Sequence, residues 1–560
     1  MKTAFKLLTI FLFTLMLSCA ERESEEYTRI NEIFNRFDFQ DKPGGAVAVA
    51  LDGKTIYSRA FGLASMEYGI PNTPSTLFNT GSVSKQFTAM GIVLLDLEGK
   101  ISIDDDIRKY MPELPEFGDT IRIRHLLHHT SGLRSLHYLF GIAGWRGDDS
   151  RTNEDLYRFL ERQRDLNFRP GEEYMYCNTG YMLMARIIEI ASEETFTDWI
   201  KKSVFLPLGM VSTYAEDNYR RIVPGNATSY FIPEEGGFER SIEYWGYTGS
   251  GNVHSTVSDL LTWLRNFHAP QEGWENAFEN LQILDPLNNG DNNNYAFGII
   301  LDDYKGKKRI QHGGSVGGFR AFICAFPEEK LDIVVLANSP DFPVGQISSE
   351  IADIFLGTGQ EREAGDDRPW EKFDILKLPG ETLKNYQGLY WNENESYSRK
   401  IYIENDTLKY FRDENSISPL LPISENEFVM AGVTDKLIIS FNLDEGKVRN
   451  MQVSINDGTP LILNYFEAYL PGAAEKQEYC GEYYSPELMT SYFIDLKNDT
   501  LVCYHPRHGY IDLNMQKKDI FNAGWPLNLV KITRNGAGAV TGMAVTNSRV
   551  RNLIFDKRNN

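Results

Sequence analysis

Over the first part of the chain, segments whose hydrophobic residues have the spacing of a strand alternate with segments that have the spacing of a helix. Asp52-Gly53 separates the apolar runs Gly45–Leu51 and Thr55–Ser58, which is a strong β-hairpin signal. A helical run follows Lys85 and stops at Gly99, and the spacing from about 100 to 270 is mainly helical. Further strands and a closing helix are predicted at Ala296–Leu301, Phe319–Phe326, Leu331–Ala337 and Ile347–Leu356. We therefore predict an α/β sandwich, an antiparallel sheet with a helical layer.

The C-terminal third changes to short alternating runs that repeat at a constant offset. Tyr386-x-Gly388-x-Tyr390 recurs as Tyr479-x-Gly481-x-Tyr483, 93 residues later, and Phe428 and Phe521 are also 93 residues apart. A constant offset indicates a duplicated unit. Each copy has about eight strand-like runs separated by turn residues, which predicts two tandem small antiparallel β-barrels or sandwiches.

The N-terminal residues have the pattern of an export signal. Two lysines precede the apolar run Leu7–Leu17, which is too short to span a membrane as a helix. The run ends in Leu15-Met16-Leu17-Ser18-Cys19, which is similar to a bacterial lipoprotein signal whose cysteine is acylated. We predict a signal peptide over 1–18 and a lipidated tether over 19–26 that anchors the protein to a membrane surface. An ordinary signal peptide with a chance cysteine is the alternative.

Composition narrows the function classes further. The 560 residues carry a formal net charge of −21, which argues against nucleic acid as a partner on electrostatic grounds. Four cysteines follow Cys19, and an even number permits disulfides in an exported protein; Cys480 and Cys503 form the candidate pair within one repeat. The sequence has no Cys-x-x-Cys, so structural zinc has no support, and we expect no cofactor.

A serine and a lysine at the start of a predicted helix are the first candidates for chemistry. Thr80-Gly81-Ser82-Val83-Ser84-Lys85 places Ser82 and Lys85 three residues apart, on one helix face. A serine hydroxyl needs a nearby base to become a nucleophile, and helix N-terminal N–H groups can hold the anion that attack produces. Ser-x-x-Lys alone also occurs by chance, as a helix cap with a lysine that reaches solvent.

Two histidines lie within the helical layer. His125 and His129 are one helical turn apart, which is half of a metal site. The sequence offers no third ligand beside them, and the glutamate of a His-Glu-x-x-His zinc helix is absent. We interpret both as packing and capping residues beside a pocket and predict no metal.

A tyrosine and an asparagine precede another apolar helix. In Tyr176-Cys177-Asn178 a phenol and an amide can point the same way, and an adjacent ammonium would favour the phenolate, a usable base. A turn residue and a core tyrosine are the alternative. Further along, glycines within Tyr244–Asn252 let a loop run close to a ligand, or serve as a flexible connection.

The third cluster is a glycine-rich strand edge. Arg309–Gly318 leaves backbone N–H groups open to a ligand, with His312 beside them. Gly313-Gly314-Ser315-Val316-Gly317 also fits Gly-x-Ser-x-Gly, the nucleophile elbow of α/β-hydrolases. That elbow requires a helix after the serine, whereas Phe319–Phe326 has a strand pattern, so Ser315 is not expected to be the nucleophile.

Ser82-Val83-Ser84-Lys85, Tyr176-Cys177-Asn178 and His312-Gly313-Gly314, in this order, resemble the three motifs of the serine β-lactamase and penicillin-binding-protein superfamily. The tyrosine form is similar to the class C branch, with its D-aminopeptidase, D,D-peptidase and esterase relatives. The resemblance covers about residues 27–360 and implies a β-lactamase-like α/β sandwich. The C-terminal copies resemble the lipocalin-like barrels attached to some of these hydrolases.

The resemblance implies a role for each matching residue. Ser82 would be the acylated nucleophile and Lys85 its proton partner. Tyr176 would be the general base for acylation and, through water, for deacylation, while Asn178 would position Lys85 and the substrate amide. The backbone N–H groups of Ser82 and Ser315 would form the oxyanion hole.

The chain departs from class C enzymes at His312, the third catalytic position, where these enzymes have a lysine that helps to bind the β-lactam carboxylate. Gly313 and Gly314 follow as substrate-binding residues. A histidine is charged only part of the time near neutral pH, so strong β-lactamase activity is not expected. Histidine here resembles the aminopeptidase and esterase relatives more closely.

The sequence therefore predicts a serine hydrolase that acts through acyl-Ser82 on a small amide, peptide or ester. An acyltransferase on the same acyl-enzyme, a lipid-anchored binding protein without turnover and an α/β-hydrolase using Ser315 are the alternatives. The predicted regions are a signal peptide 1–18, a tether 19–26, a hydrolase domain 27–360, a linker 361–379 and β-barrel repeats 380–470 and 473–560.

Overall fold

The computed structural model describes residues 25–357, 369–393, 397–413, 416–433, 435–444, 447–456 and 458–558. The predicted signal peptide, Cys19, most of the tether and the first part of the linker lie outside the described residues. The chain divides into two compact units. The first contains the described residues of Met1–Gly132, Gly147–Tyr157 and Phe168–Gln360, and the second those of Leu133–Arg146, Arg158–Asn167 and Glu361–Asn560.

The described helices and strands are numbered in chain order. The helices are α1 Glu25–Phe34, α2 Lys85–Leu97, α3 Ile123–Leu127, α4 Leu136–Ile142, α5 Asn153–Leu160, α6 Asn178–Ser192, α7 Phe196–Ile200, α8 Val257–Arg265, α9 Glu275–Asn280, α10 Val344–Leu356, α11 Gly380–Lys384 and α12 Ala473–Tyr479. The strands before the C-terminal third are β1 Gly45–Leu51, β2 Lys54–Phe61, β3 Leu63–Ser65, β4 Ile70–Pro71, β5 Phe78–Asn79, β6 Arg151–Thr152, β7 Tyr214–Ala215, β8 Tyr230–Phe231, β9 Glu239–Arg240, β10 Trp245–Gly246, β11 Val253–Ser255, β12 Ile300–Tyr304, β13 Lys307–Val316, β14 Phe319–Phe326 and β15 Leu331–Ala337.

A six-stranded antiparallel sheet, in the order β12-β13-β14-β15-β1-β2, forms the framework of the first unit. The predicted hairpin is confirmed: Asp52 and Gly53 both have positive φ between β1 and β2. Val47 and Val49 point into a core shared with α1 and α10, and α8 packs on the opposite face. The α/β sandwich is therefore as predicted.

One predicted strand begins later than its apolar pattern indicates. Ala296–Leu301 was expected to be extended, but β12 begins at Ile300. The preceding residues form a tight turn in which the Ala296 N–H donates to the Ile299 carbonyl at 2.8 Å and Gly298 has a φ of +74°. Burial, rather than strand pairing, explains the apolar residues of this turn.

Helix α2 is buried on nearly all sides, from Lys85 to Val93. A side chain at Gly91 would come within 2.7 Å of the Ile188 side chain, so the glycine lets α6 pack closely against α2. This packing fixes the start of α6 relative to the start of α2. The two helix starts carry Asn178 and Lys85.

The second unit contains two closed eight-stranded antiparallel barrels. The first barrel is β16 Gly388–Asn392, β17 Tyr397–Glu404, β18 Thr407–Asp413, β19 Ser416–Pro422, β20 Glu427–Met430, β21 Leu437–Asp444, β22 Lys447–Ile455 and β23 Leu461–Phe466. The second is β24 Gly481–Ser485, β25 Thr490–Lys497, β26 Thr500–His505, β27 Gly509–Lys517, β28 Ile520–Ala523, β29 Leu529–Arg534, β30 Val540–Asn547 and β31 Val550–Arg558.

The duplication inferred from the 93-residue offset is visible in the contacts. The Tyr390 hydroxyl donates to the Tyr386 carbonyl, and the Tyr483 hydroxyl donates to the Tyr479 carbonyl, both at 2.6 Å. The same bond therefore occurs at the first strand of each barrel. The barrel prediction is confirmed.

The second barrel also binds chain from an earlier part of the sequence. The Tyr492 hydroxyl donates to the Ile142 carbonyl at 2.9 Å, and a side chain at Gly144 would come within 2.2 Å of His505. Arg134 and Glu487 form an ion pair with an N–O distance of 2.7 Å, each side chain only 1% exposed. Residues 133–146 are thus part of the second unit, although the sequence predicts them within the hydrolase domain.

The proposed pairing of Cys480 with Cys503 is wrong, because both are free thiols. Cys503 is buried between barrel residues on β26, whereas Cys480 follows α12 and directs its sulfur toward the Lys476 carbonyl. Within the described residues, no helix combines the length and apolar character needed to cross a membrane.

Candidate active site

Ser82 lies on a 3-10 turn, Gly81–Ser84, that leads directly into α2. The Asn79 side-chain oxygen accepts the Gly81 N–H at 3.0 Å and so supports the turn. Ser82 is half-buried and Lys85 is fully buried, and Lys85 Nζ donates to Ser82 Oγ at 3.2 Å. The structure therefore brings together the serine and lysine that the sequence placed on one helix face.

In the described part of the chain, the Lys85 amine donates to at least three acceptor oxygens. Besides Ser82 Oγ, they are Asn178 Oδ1 at 2.8 Å and the Ser250 carbonyl at 2.7 Å. An ammonium has three N–H donors and no acceptor, so this environment matches the charged form. Because lysine can only donate, the amide oxygen of Asn178 faces Lys85 and its NH₂ group is directed elsewhere.

Tyr176 lies beside this ammonium. Lys85 Nζ is 4.8 Å from the centroid of the Tyr176 ring, and the Tyr176 hydroxyl oxygen is buried. The ring also packs against the His129 imidazole, with centroids 4.2 Å apart. Tyr176 therefore approaches Lys85 from the turn that precedes α6, and Asn178 approaches it from the first residue of that helix.

The two histidines act as caps. The Arg122 N–H donates to His125 Nδ1 at 3.1 Å at the start of α3, and the Cys177 N–H donates to His129 Nδ1 at 3.0 Å. Burial lowers the pKa of His125 to about 4. The predicted packing and capping roles are confirmed. Across the described part of the chain, no cluster of three or more potential metal ligands occurs.

The glycine-rich segment forms the second half of β13, and it runs past the end of its neighbour. Strand β12 pairs with β13 only as far as Ile300 and Gln311, so His312–Val316 continue along an open edge. Strand β14 follows Gly317 and Gly318, with no helix after Ser315. The geometry of a nucleophile elbow is therefore absent at Ser315.

Two glycines allow this edge to touch the Ser82 turn. A Cβ at Gly314 would come within 2.0 Å of the Thr80 carbonyl and 3.2 Å of the Ser82 nitrogen, and one at Gly81 would come within 2.7 Å of the Ser315 nitrogen. These backbones therefore meet at van der Waals distance only because both positions lack side chains. The Ser82 and Ser315 backbone nitrogens lie on either side of this contact.

The surroundings of His312 favour its neutral form, whereas the sequence alone predicts a partly charged group. Its Nδ1 donates to the Gly313 carbonyl at 2.6 Å, and its Nε2 accepts the Tyr295 hydroxyl at 2.9 Å. Burial, reinforced by the charge of Lys85, lowers the pKa of His312 to about 4. The cation of class C enzymes therefore has no counterpart at this position near pH 7.

Two further tyrosines, Tyr181 and Tyr295, lie beside the site. Burial raises the pKa of Tyr181 and of Tyr295 well above the usual value of 10. The Tyr181 hydroxyl donates to the Leu127 carbonyl at 2.8 Å and that of Tyr295 to His312. Both phenols are therefore held protonated near neutral pH.

Sequence reasoning missed Tyr295 and the Ser250 carbonyl. The glycines around Ser250 indicated a loop that runs close to a ligand, and the loop instead supplies an acceptor to Lys85. Tyr295 had no comparable signal. Gly298 is the nearby residue that could have indicated a close contact here, since a side chain there would come within 2.8 Å of the Lys85 carbonyl.

Comparisons with known proteins agree with this geometry. A sequence profile described as Beta-lactamase matches residues 30–353. Penicillin-binding protein 4* of Bacillus subtilis is 31% identical over 446 residues, which covers 75% of this chain and 94% of that protein. A D-aminopeptidase of Gluconobacter oxydans is 30% identical over 334 residues, or 58% of this chain and 61% of that protein. The chain thus spans about three fifths of that relative's length.

A solved structure extends the likeness into the C-terminal third. The octameric penicillin-binding protein homologue from Pyrococcus abyssi matches with a TM-score of 0.56 and 25% sequence identity. The match covers 79% of this chain and all of that one.

Proposed function

The chain belongs to the β-lactamase family, and we propose that it is a hydrolase that acts through an acyl-enzyme formed on Ser82. Its substrates are small amides, peptides or esters that have no carboxylate to place opposite His312. We place it in the class C-like branch because of its tyrosine motif. One observation carries the proposal: the Lys85 ammonium joins Ser82 Oγ, the Asn178 amide and the Tyr176 ring in one buried cluster.

Acylation would proceed by attack of Ser82 Oγ on the substrate carbonyl carbon while the hydroxyl proton passes to the Tyr176 phenolate. The backbone N–H groups of Ser82 and Ser315 would bind the oxyanion of the tetrahedral intermediate. Collapse breaks the bond to the leaving amine or alcohol, which takes the proton from Tyr176. A water molecule activated by Tyr176 then hydrolyses the ester bond of acyl-Ser82 and regenerates the Ser82 hydroxyl.

Tyr176 suits the role of base better than its neighbours. Lys85 donates to Ser82 Oγ, so in this arrangement the amine has no lone pair directed at the serine proton. The hydroxyls of Tyr181 and Tyr295 are held protonated by burial. The ammonium 4.8 Å from the Tyr176 ring provides the positive charge that a phenolate requires.

The state of His312 sets the proposed substrate preference. A fixed cation at this position would attract the carboxylate of a β-lactam, whereas a neutral imidazole fixed by Tyr295 and the Gly313 carbonyl offers no such charge. The D-aminopeptidase relative supports D-aminoacyl amides as the first class to test.

We expect the purified protein to hydrolyse D-aminoacyl p-nitroanilides or short-chain p-nitrophenyl esters with a kcat/KM at least about 100-fold above that for nitrocefin. His312→Lys should narrow this gap by about tenfold, since a new cation would bind the nitrocefin carboxylate. Peptides that end in D-Ala-D-Ala are the remaining substrate class to be assayed. Nitrocefin turnover by the wild type as fast as that of the best amide or ester would contradict the proposal.

We also propose that the protein is exported and held at a membrane surface through a lipid on Cys19. The apolar run before Cys19 supports this proposal. In Triton X-114 partitioning, the wild type should enter the detergent phase, and the Cys19→Ala variant should enter the aqueous phase. Equal partitioning of the two forms would refute the anchor.

A further inference from the structure

The two barrels carry different residues at two corresponding positions near the barrel core. The 93-residue offset relates Arg399 and Arg412 in the first barrel to Tyr492 and His505 in the second. In the second barrel these two side chains contact the polypeptide around residues 142–144. The first barrel thus presents two cations at the positions where its copy binds a chain segment.

The two arginines lie on adjacent strands, and both are close to the Tyr410 side chain. The β17–β18 ladder pairs Ile401 with Tyr410 and ends at Lys400 and Phe411, and Arg399 and Arg412 are the next residues on the two strands. Ile401 and Tyr410 belong to the barrel core, and the Arg399 side chain forms a hydrogen bond with that of Tyr410. Two positive charges that lie close together repel each other.

No carboxylate compensates this repulsion within the described residues. Arg399 donates to the Ser398 carbonyl at 2.8 Å, and its Nε is buried without a hydrogen-bond partner. Arg412 contacts the Ser416 hydroxyl at 3.4 Å and the Met430 sulfur at 3.2 Å. All of these acceptors are uncharged.

Aromatic rings hold both guanidiniums in place. The Arg399 guanidinium carbon lies 4.0 Å from the Tyr397 ring centroid, and that of Arg412 lies 5.5 Å from the Tyr410 ring centroid. Burial raises the pKa of Tyr410, and the two positive charges oppose this shift, so both act on the same phenol. The cations are therefore close together and positioned before any ligand arrives.

We propose that this end of the first barrel binds an oxyanion, the carboxylate or phosphate group of a small ligand, between Arg399 and Arg412. Planar guanidiniums match the two oxygens of either group and form charge-assisted bonds with them. An anion would also offset the repulsion between the two nearby cations. The site does not depend on the chemistry proposed at Ser82.

Isothermal titration of the full-length protein with sodium phosphate, and separately with sodium acetate, at constant ionic strength would test this site. We expect one equivalent of at least one anion to bind. Arg399→Gln and Arg412→Gln should each weaken that binding by about tenfold or more. Arg449→Gln, which changes an exposed arginine of the same barrel, should leave it unchanged.

Thermal unfolding without anion separates binding from structure. Because each substitution relieves the repulsion between the two nearby cations, the unfolding midpoint of Arg399→Gln and of Arg412→Gln should equal or exceed that of the wild type. Ester hydrolysis through Ser82 should be unchanged in both. Absence of binding to either anion, equal binding by all variants, or a lower midpoint in both variants would overturn the proposal.

Discussion

Ser82→Ala is expected to abolish covalent labelling by a fluorophosphonate probe and to lower kcat by at least about 10⁴-fold. The hydroxyl is the atom that would form the acyl bond, and Lys85 Nζ already contacts it at 3.2 Å. Labelling is read by intact-protein mass, which shows one adduct on the wild type and none on the variant. The fold should be unaffected, since alanine is compatible with the turn.

Ser315→Ala is the matched control for that experiment. Its side chain is exposed on β13 and its backbone N–H survives the substitution, so labelling should persist. Loss of labelling in Ser315→Ala with retention in Ser82→Ala would establish the opposite assignment. An adduct on the wild type that stays for hours without released product would indicate a binding protein rather than a hydrolase.

The parts of the site that could be predicted are those encoded by local spacing. Ser82 and Lys85 are neighbours because three residues of helix separate them, and Asn178 is found at a helix start because an apolar run follows it. The open edge at His312 follows from its glycines. Each of these signals lies within a dozen residues of chain.

The charge of His312 could not be predicted in this way. It depends on burial and on the Tyr295 hydroxyl, which reaches the imidazole from a turn of irregular backbone. The same holds for the Ser250 carbonyl, because any residue can supply a backbone acceptor. Such contacts arise only when the tertiary structure forms, and they leave no pattern in the sequence.

The C-terminal third shows the same division. Duplication is a pattern along the chain, so both barrels could be predicted from the offset of 93 residues. The ion pair between Arg134 and Glu487 joins residues 353 positions apart and has no repeat to reveal it. Helical spacing around α4 predicts an amphipathic element and leaves its partner undetermined.

Tyr176→Phe is expected to lower the acylation rate by about 10²- to 10⁴-fold, the usual contribution of a general base. The substitution removes one oxygen and keeps the ring that packs on His129 and lies over the Lys85 ammonium, so the cluster should retain its shape. Stopped-flow release of p-nitrophenol gives the acylation rate directly. Tyr174→Phe, which changes an exposed tyrosine beside His129, is the control and should change the rate little.

The comparison with Lys85→Met decides between the two proton acceptors. If Tyr176 is the base, both Tyr176→Phe and Lys85→Met should be slow, because the phenolate would lose its proton-accepting atom in one and its positive neighbour in the other. If Tyr176→Phe acylates at the wild-type rate while Lys85→Met does not, the amine itself takes the serine proton. The three acceptors around Lys85 would then have to release it during the reaction, since a neutral amine must turn its lone pair toward Ser82 Oγ to act as a base.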